Sequence, residues 1–117
     1  GIDTRHSAVL LQDDKLTVVW SRVGDAPERL LVSTVSLSSS DWDDWIATQP
    51  TELMRGEQPW EGSELPVQSS LRGETIEPIN DLRDPDIFVD VDGQIYLLYV
   101  ASGEQSIGLV RLQNVAP

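Results

Sequence analysis

The chain has 117 residues, of which 39% are hydrophobic, and its formal net charge at pH 7 is −12, so it reads as one acidic globular domain or part of one. The excess of acidic residues argues against binding to nucleic acid or to an anionic membrane surface, because both need clustered Lys and Arg. The chain contains no cysteine, no signal-peptide pattern and no apolar run near the roughly 20 residues that span a bilayer, which excludes disulfides and leaves its compartment open.

The first third of the chain predicts a hairpin followed by a third strand. Residues 6–11 and 16–22 are rich in Val, Leu and Trp, and polar turn residues separate them. A loop with Gly, Asp and Pro at residues 24–27 leads into an alternating segment at 29–37, which predicts the third strand. Residues 46–54 predict a fourth strand, and Pro50 confines it to the edge of a sheet.

Between the third and fourth strands, residues 42–46 are compatible with two local structures. They form a single helical turn capped by Asp41, or they lead directly into the next strand. The two tryptophans of this segment, Trp42 and Trp45, are expected to pack in the core or between blades.

The second half of the chain begins with an irregular segment and ends in three strands. Residues 55–82 carry many Gly and Pro and show little apolar periodicity, which is typical of a long functional loop. Residues 87–90, 94–101 and 106–112 predict strands, and Asp92-Gly93 is a strong hairpin signal. Since no segment shows an amphipathic helical pattern, the predicted fold class is all-β.

The chain contains the same pattern twice. Arg5 aligns with Arg83 and His6 with Asp84, and an apolar strand, a polar turn and a strand with an aromatic residue follow in both places. Further along, the aligned positions are Val9, Leu10 and Leu11 with Ile87, Phe88 and Val89, and, after a one-residue difference in the turn, Trp20 with Tyr99. A repeat of this kind is one supersecondary unit used twice.

The repeat favours the antiparallel blades of a β-propeller over a sandwich. Residues 1–54 would form the first blade-like repeat, residues 55–82 an irregular connecting loop, and residues 83–117 the second repeat. Propellers have at least four blades. We therefore expect a partial propeller of about two blades, which is either a fragment of a longer chain or is completed by oligomerisation.

Arg83-Asp84-Pro85 is the first candidate for chemistry. Pro85 is expected to push Asp84 into an extended conformation and so aim its carboxylate forward from the start of a strand. Arg83 would pair with this carboxylate or with another acid nearby. A simple Asx-turn entering the strand is the alternative.

The stretch from Asp84 through the Asp92-Gly93 turn to Tyr99 resembles a blade of the five-bladed β-propeller glycoside hydrolases. It is similar to the arabinanase and xylosidase group of family 43, and Arg83-Asp84-Pro85 also resembles the fructan hydrolases of family 32. The likeness covers residues 81–112 well and residues 5–37 more weakly.

The resemblance implies a central pocket with three carboxylates, in which Asp84 orients a partner or stabilises the transition state. It also implies a proton-donating glutamate in a short loop, for which Glu61 and Glu64 are candidates. Trp60 would stack on a sugar ring, and His6, at the position equivalent to Asp84, would bind a sugar hydroxyl or serve as an acid. Arg83 is a further sugar-contact candidate. Each candidate also has an interpretation without any function: a residue of a surface loop, a histidine at a strand edge or an arginine in an ion pair.

The sequence predicts no metal or other cofactor. The acidic turn at residues 90–93 resembles a calcium loop, but Phe88 and Tyr99 occupy positions that an EF-hand needs for ligands. Carbohydrate is the predicted partner.

Two functions remain open at this point. The chain is a glycoside hydrolase-like fragment or subunit that acts on oligo- or polysaccharides, or it is a non-catalytic carbohydrate-binding or self-assembling module derived from a propeller. The sequence leaves open whether it is an enzyme at all.

Overall fold

The fold consists of two antiparallel β-sheets joined by a long irregular segment, in a computed structural model that describes residues 3–113. The first sheet has four strands in the order β1-β2-β3-β4, and the second has three in the order β5-β6-β7. The strands are β1 Thr4–Gln12, β2 Lys15–Arg22, β3 Leu30–Ser36, β4 Thr51–Met54, β5 Leu82–Val89, β6 Ile95–Ala101 and β7 Ser106–Leu112. The all-β prediction is confirmed. In this part of the chain the helical segments are two single 3-10 turns, Trp42–Asp44 and Pro59–Glu61, and no helix has the length and apolar content to cross a bilayer.

Each sheet is a meander, so neighbouring strands follow one another in sequence. The strands form where Val, Leu and aromatic residues alternate with polar ones, because a pleated strand places successive side chains on opposite faces. The predicted turn at Asp92-Gly93 is confirmed, with Gly93 at a φ of 86°. β4 lies at the edge of the first sheet, as Pro50 indicates.

The two sheets repeat the same strand register. Leu10 pairs with Thr17 in the first sheet, and the equivalent residues Phe88 and Tyr96 pair in the second. The register also shifts at equivalent places, between Thr4 and Ser7 in β1 and between Arg83 and Asp86 in β5. The internal repeat seen in the sequence is therefore a repeat of backbone structure.

A single apolar layer lies between the sheets. Val19 and Leu30 of the first sheet pack against Leu82, Leu97 and Tyr99 of the second. The first strands of the two sheets, β1 and β5, lie next to each other. The sheets are also tied through the backbone, because the amide of Leu82 donates to the carbonyl oxygen of Glu28 at 3.0 Å.

The structure corrects two predicted boundaries. β5 begins at Leu82 rather than at residue 87, so Asp84 lies inside the strand instead of at its entrance. β4 begins at Thr51 rather than at residue 46; Ala47 forms only an isolated bridge with Val35. Residues 46–49 are exposed, with Ile46 at 75%, so this segment runs along the surface before β4 begins.

Of the two places predicted for Trp42 and Trp45, the core is wrong, and packing between blades stays a prediction. Residues 42–44 form a 3-10 turn on the surface, with the side chain of Asp41 accepting from the amide of Asp43. Trp42 is 77% exposed and lies 6.0 Å from Trp45, measured between ring centroids. The capped helical turn, one of the two readings of this segment, is confirmed.

Candidate functional site

The two equivalent residues of the repeat, His6 and Asp84, meet at the junction of the sheets. The Nδ1 atom of His6 lies 2.6 Å from Oδ1 of Asp84, although the two residues are 78 positions apart in sequence. β1 and β5 bring them together, since these strands lie side by side and each carries its polar residue near its start. The His6 side chain is exposed and that of Asp84 is partly buried, so the pair is accessible to a ligand.

The backbone at Asp84 departs from the prediction. Instead of an extended conformation, Asp84 has a φ of 51°, in the left-handed region. The reason is the register shift between Arg83 and Asp86, where β5 carries more residues than β6 can pair with. A bulge of this kind re-aims a side chain, and backbone strain in a non-glycine residue is typical of functional sites.

Arg5, beside His6 in β1, forms a largely buried ion pair. Its Nε donates to Oε2 of Glu28 at 2.9 Å and its Nη2 donates to Oε1 at 3.1 Å, a two-point contact with one carboxylate. The hydroxyl of Ser21 also donates to Glu28 at 2.7 Å. This network fixes the strand next to His6.

Arg83 makes the corresponding pair in the second repeat. Its Nε lies 2.8 Å and its Nη2 2.6 Å from Oδ2 of Asp81, and its Nη2 also donates to the hydroxyl of Thr75. Of the two partners that the sequence left open, the structure selects the other acid, Asp81, rather than Asp84. Arg83 is 1% exposed and donates to Asp81, Thr75 and Gly73, so the structure places it inside the protein rather than at a surface open to a ligand.

Both arginines hold the same loop. The Nη1 atoms of Arg5 and Arg83 each donate to the carbonyl oxygen of Gly73 at 3.2 Å, and Arg5 also donates to the carbonyl of Leu71 at 2.7 Å. The segment around Gly73 is thereby fixed beside the strand starts that carry His6 and Asp84. The sequence signal for this arrangement was the alignment of Arg5 with Arg83, whereas Glu28, Asp81 and the loop carbonyls gave no signal.

Glu61, one of the two candidate proton donors, is buried in a different part of the molecule. Its carboxyl group accepts from the hydroxyl of Tyr99 at 2.5 Å and from the backbone amides of Glu57 and Gln58. These contacts cap the short 3-10 turn Pro59–Glu61. Burial, together with the hydrogen bond to Glu61, raises the pKa of the Tyr99 hydroxyl well above its usual value.

Trp60 lines an open cleft between the end of β4 and the second sheet. The cleft has a volume of about 310 Å³, and its walls include Arg55, Glu57 and Leu109. The Trp60 ring is half exposed and stacks on Tyr99 with centroids 6.4 Å apart. Arg55, in the wall of this cleft, donates hydrogen bonds to Glu52 that hold the pKa of the Glu52 carboxyl below its ordinary value.

The predicted site residues therefore fall into two groups. His6, Asp84 and Arg83 converge at the sheet junction, while Trp60 and Glu61 belong to the cleft around Tyr99. The other candidate acid, Glu64, is exposed in the segment that follows. Within residues 3–113, no group of three or more acidic or histidine side chains is arranged to hold a metal ion.

A viral protein of unknown role is similar to this chain over most of its length. Uncharacterized protein R118 of Acanthamoeba polyphaga mimivirus is 38% identical over 109 residues, which are 92% of this chain and 30% of the viral protein. The chain thus spans about 30% of the length of this relative. No family model and no solved structure matches the chain.

Proposed function

We propose that this chain is part of a carbohydrate-active β-propeller related to the glycoside hydrolases, with His6 and Asp84 facing its central pocket. The observation that carries the proposal is the contact between these two residues, which occupy equivalent positions in two repeats of one backbone pattern. In a propeller, equivalent residues at the starts of the innermost strands converge on the central axis.

The size of the viral relative supports this architecture. Because 109 residues are 30% of its length, it has about 360 residues. The two units of the present chain repeat at a spacing of 78 residues, as His6 and Asp84 show. A chain of that size has room for four or five such units, and propellers typically contain four to eight blades.

Asp84 has the chemistry for transition-state stabilisation. Glycoside hydrolysis develops positive charge on the sugar ring, and an ionised carboxylate held at a fixed place stabilises that charge. The bulge fixes the backbone of Asp84, and Arg83 and Arg5 hold the strands on either side of the pair. His6 would hydrogen-bond a sugar hydroxyl through its exposed ring.

The second carboxylate of the reaction is proposed to come from another unit. Glycosidases need two carboxyl groups roughly 5–10 Å apart across the scissile bond. Glu61 is buried against Tyr99 and its hydrogen bonds form a cap, which makes it a poor proton donor for a bond held at Asp84. Glu64 is exposed and stays the candidate within this chain.

The burial of Glu61 also favours a second candidate function. If no acid faces Asp84, the site binds carbohydrate without hydrolysing it. The exposed ring of Trp60 and the His6–Asp84 pair would then be the sugar contacts of a non-catalytic module.

An oligosaccharide screen tests both functions on the full-length gene product that carries this sequence. Arabinan, xylan and fructan oligomers are scored for binding by calorimetry and for hydrolysis by reducing-end release. We expect Asp84→Asn to lower hydrolysis by about 10²–10³-fold, the usual effect of losing one electrostatic stabiliser. Asp92→Asn is the matched control, because Asn-Gly serves the hairpin turn as well as Asp-Gly.

The outcomes separate the candidates. Hydrolysis that depends on Asp84 supports the enzyme, and binding without hydrolysis supports the non-catalytic module. Absence of both across the panel would overturn the proposed function.

A further inference from the structure

The outer face of the second sheet is apolar and uncovered. We define this face by the side chains of Phe88, Leu98, Ile107 and Leu109, which the strand register places on the side facing away from the first sheet. Phe88 also contacts Tyr96 of the neighbouring strand, with centroids 6.5 Å apart. Contiguous exposed apolar residues of this kind mark an interaction surface.

The repeat shows what this face is built to contact. Phe88 is equivalent to Leu10 of the first sheet, and by the paired registers Ile107 is equivalent to Leu30. Leu10 is 8% and Leu30 0% exposed, because the second sheet covers them, whereas Phe88 is 55% and Ile107 74% exposed. The same face of the repeat is thus covered in one unit and open in the other. We therefore expect the outer face of the second sheet to be covered by another sheet of the same kind.

The outer face of the first sheet corresponds, in the repeat, to the face through which the second sheet contacts the first. Val9 and Leu11 are exposed there, in the same face as Trp20. Trp20 is equivalent to Tyr99, which is buried where the second sheet meets the first. Trp20 itself is half-buried, and its register partner Leu31 is 2% exposed, so Val9 and Leu11 are the exposed apolar part of this half of the contact.

We propose that, when the 117-residue chain is on its own, a second copy docks head to tail where the next unit of a longer propeller would lie, with the outer face of its first sheet on the outer face of the second sheet. Each such contact repeats the internal one. A contact used in the same sense by every copy closes a ring where the rotation from copy to copy divides a full turn, which is the case in a propeller. Two to four copies give the four to eight sheets of a propeller. The ring places the His6–Asp84 pair of every copy around the same axis.

The charges on the outer face of the second sheet permit this contact. It carries Asp86 and Arg111, one residue of each sign, so the net charge of −12 resides elsewhere on the molecule. Acidic copies repel each other at long range, and salt screens this repulsion. Salt does not screen the free energy gained when the apolar faces are buried. Association should therefore strengthen as salt is added. This inference rests on the repeat and stands independently of the carbohydrate site.

Sedimentation velocity of the 117-residue chain at moderate salt tests the proposal. The expected result is a discrete species of two to four copies that dissociates on dilution. Leu109→Glu and Val9→Glu each place a charge on one of the two faces and should each give a monomer. Val91→Glu, in the exposed turn after β5, is the matched control and should leave the oligomer intact.

Mixing the two face variants gives the sharper test. Each keeps one intact face, so a head-to-tail contact predicts a 1:1 dimer from the mixture and nothing larger. A parent chain that stays monomeric at near-millimolar concentration, or a mixture that stays monomeric, overturns the proposal. Circular dichroism checks that the variants are folded, and Leu109→Ser with Val9→Ser replaces the pair if the glutamates prevent folding.

Discussion

Asp84 combines a left-handed backbone with a carboxylate that contacts His6, and this combination makes it the first residue to test for function. Its φ of 51° is a conformation that glycine adopts without steric cost. Aspartate is one of the residues that enter this conformation most readily after glycine. At this position its carboxylate also contacts His6 at 2.6 Å.

Substitutions at Asp84 test the strain. Both Asp84→Gly and Asp84→Ala remove the contact with His6, but only Gly relieves the left-handed backbone. We expect Asp84→Gly to have a free energy of unfolding about 1 kcal/mol greater than that of Asp84→Ala, the reverse of the usual order in strands. Urea denaturation of both variants measures the difference, and an Ala variant as stable as the Gly variant would contradict it.

The raised pKa of Tyr99 predicts that the folded protein loses stability at alkaline pH. Burial and the hydrogen bond to Glu61 raise its pKa in the folded state, so the folded protein keeps the phenol proton that the unfolded chain loses above a pH of about 10. The contribution is complete below that pH. It falls as pH rises further, by at most about 1.4 kcal/mol per pH unit.

The Tyr99→Phe variant is the control for this pH dependence. We expect it to be less stable than the parent at neutral pH by about 1–3 kcal/mol, since Glu61 loses a buried donor. Urea denaturation at several pH values should show a shallower alkaline decline in the variant. Equal declines in both proteins would argue against the assignment.

Among the elements, the strand starts are held by buried charges as well as by apolar packing. Arg83 is the clearest case, because it contacts Asp81, Thr75 and Gly73 in a place closed to solvent. Removing one partner of a buried ion pair leaves the other charge without compensation.

We expect Arg83→Ala to lower the free energy of unfolding by about 3–5 kcal/mol. Arg111→Ala, an exposed arginine on β7, should change it by less than about 0.5 kcal/mol. Thermal and urea denaturation measure both values. Limited proteolysis adds a local readout, because loss of the hydrogen bond to Gly73 should expose residues 70–76 to cleavage; an Arg83→Ala protein with an unchanged cleavage pattern would contradict this role of the arginine.

The sequence was sufficient for the strands and the repeat, because both depend on local pattern. Alternation of apolar residues marks a strand wherever it lies, and the equivalence of His6 with Asp84 follows from aligned segments. The left-handed backbone at Asp84 was missed because the bulge depends on how β5 pairs with β6. The exposure of Trp42 was missed because a surface 3-10 turn, rather than a strand, carries it.

The partners of the arginines could not be predicted for a related reason. Arg5 contacts Glu28, which is 23 positions away in sequence, and Gly73, which is 68 positions away. These contacts form only when the sheets pack together. Sequence alone gives ion-pair partners where they lie on one strand or helix. The sequence predicted candidate site residues, but it did not predict which of them lie at the sheet junction and which lie in the cleft around Tyr99.

At the scale of the whole molecule, charge opposes folding. A net charge of −12 on 117 residues produces repulsion that the compact state concentrates. The buried pairs of Arg5 and Arg83 are shielded from solvent, so salt weakens them less than it weakens the repulsion between exposed acids.

We therefore expect added salt to stabilise the monomer. Raising NaCl from about 0.01 M to about 1 M shortens the Debye length from about 30 Å to about 3 Å and should raise the midpoint of thermal unfolding. The measurement is made at high dilution, so that association does not contribute. Potassium chloride serves as the control for ion identity, and a midpoint that falls with either salt would show that attractive pairs dominate.

The meander arrangement of the two sheets has a consequence for the order of folding. Every strand pair within a sheet closes a local hairpin or a short connection, whereas docking of the sheets has to close the loop formed by residues 55–81. Local contacts form faster than distant ones. The hairpins should therefore form first, and the meeting of His6 with Asp84 should be among the last events on the folding pathway.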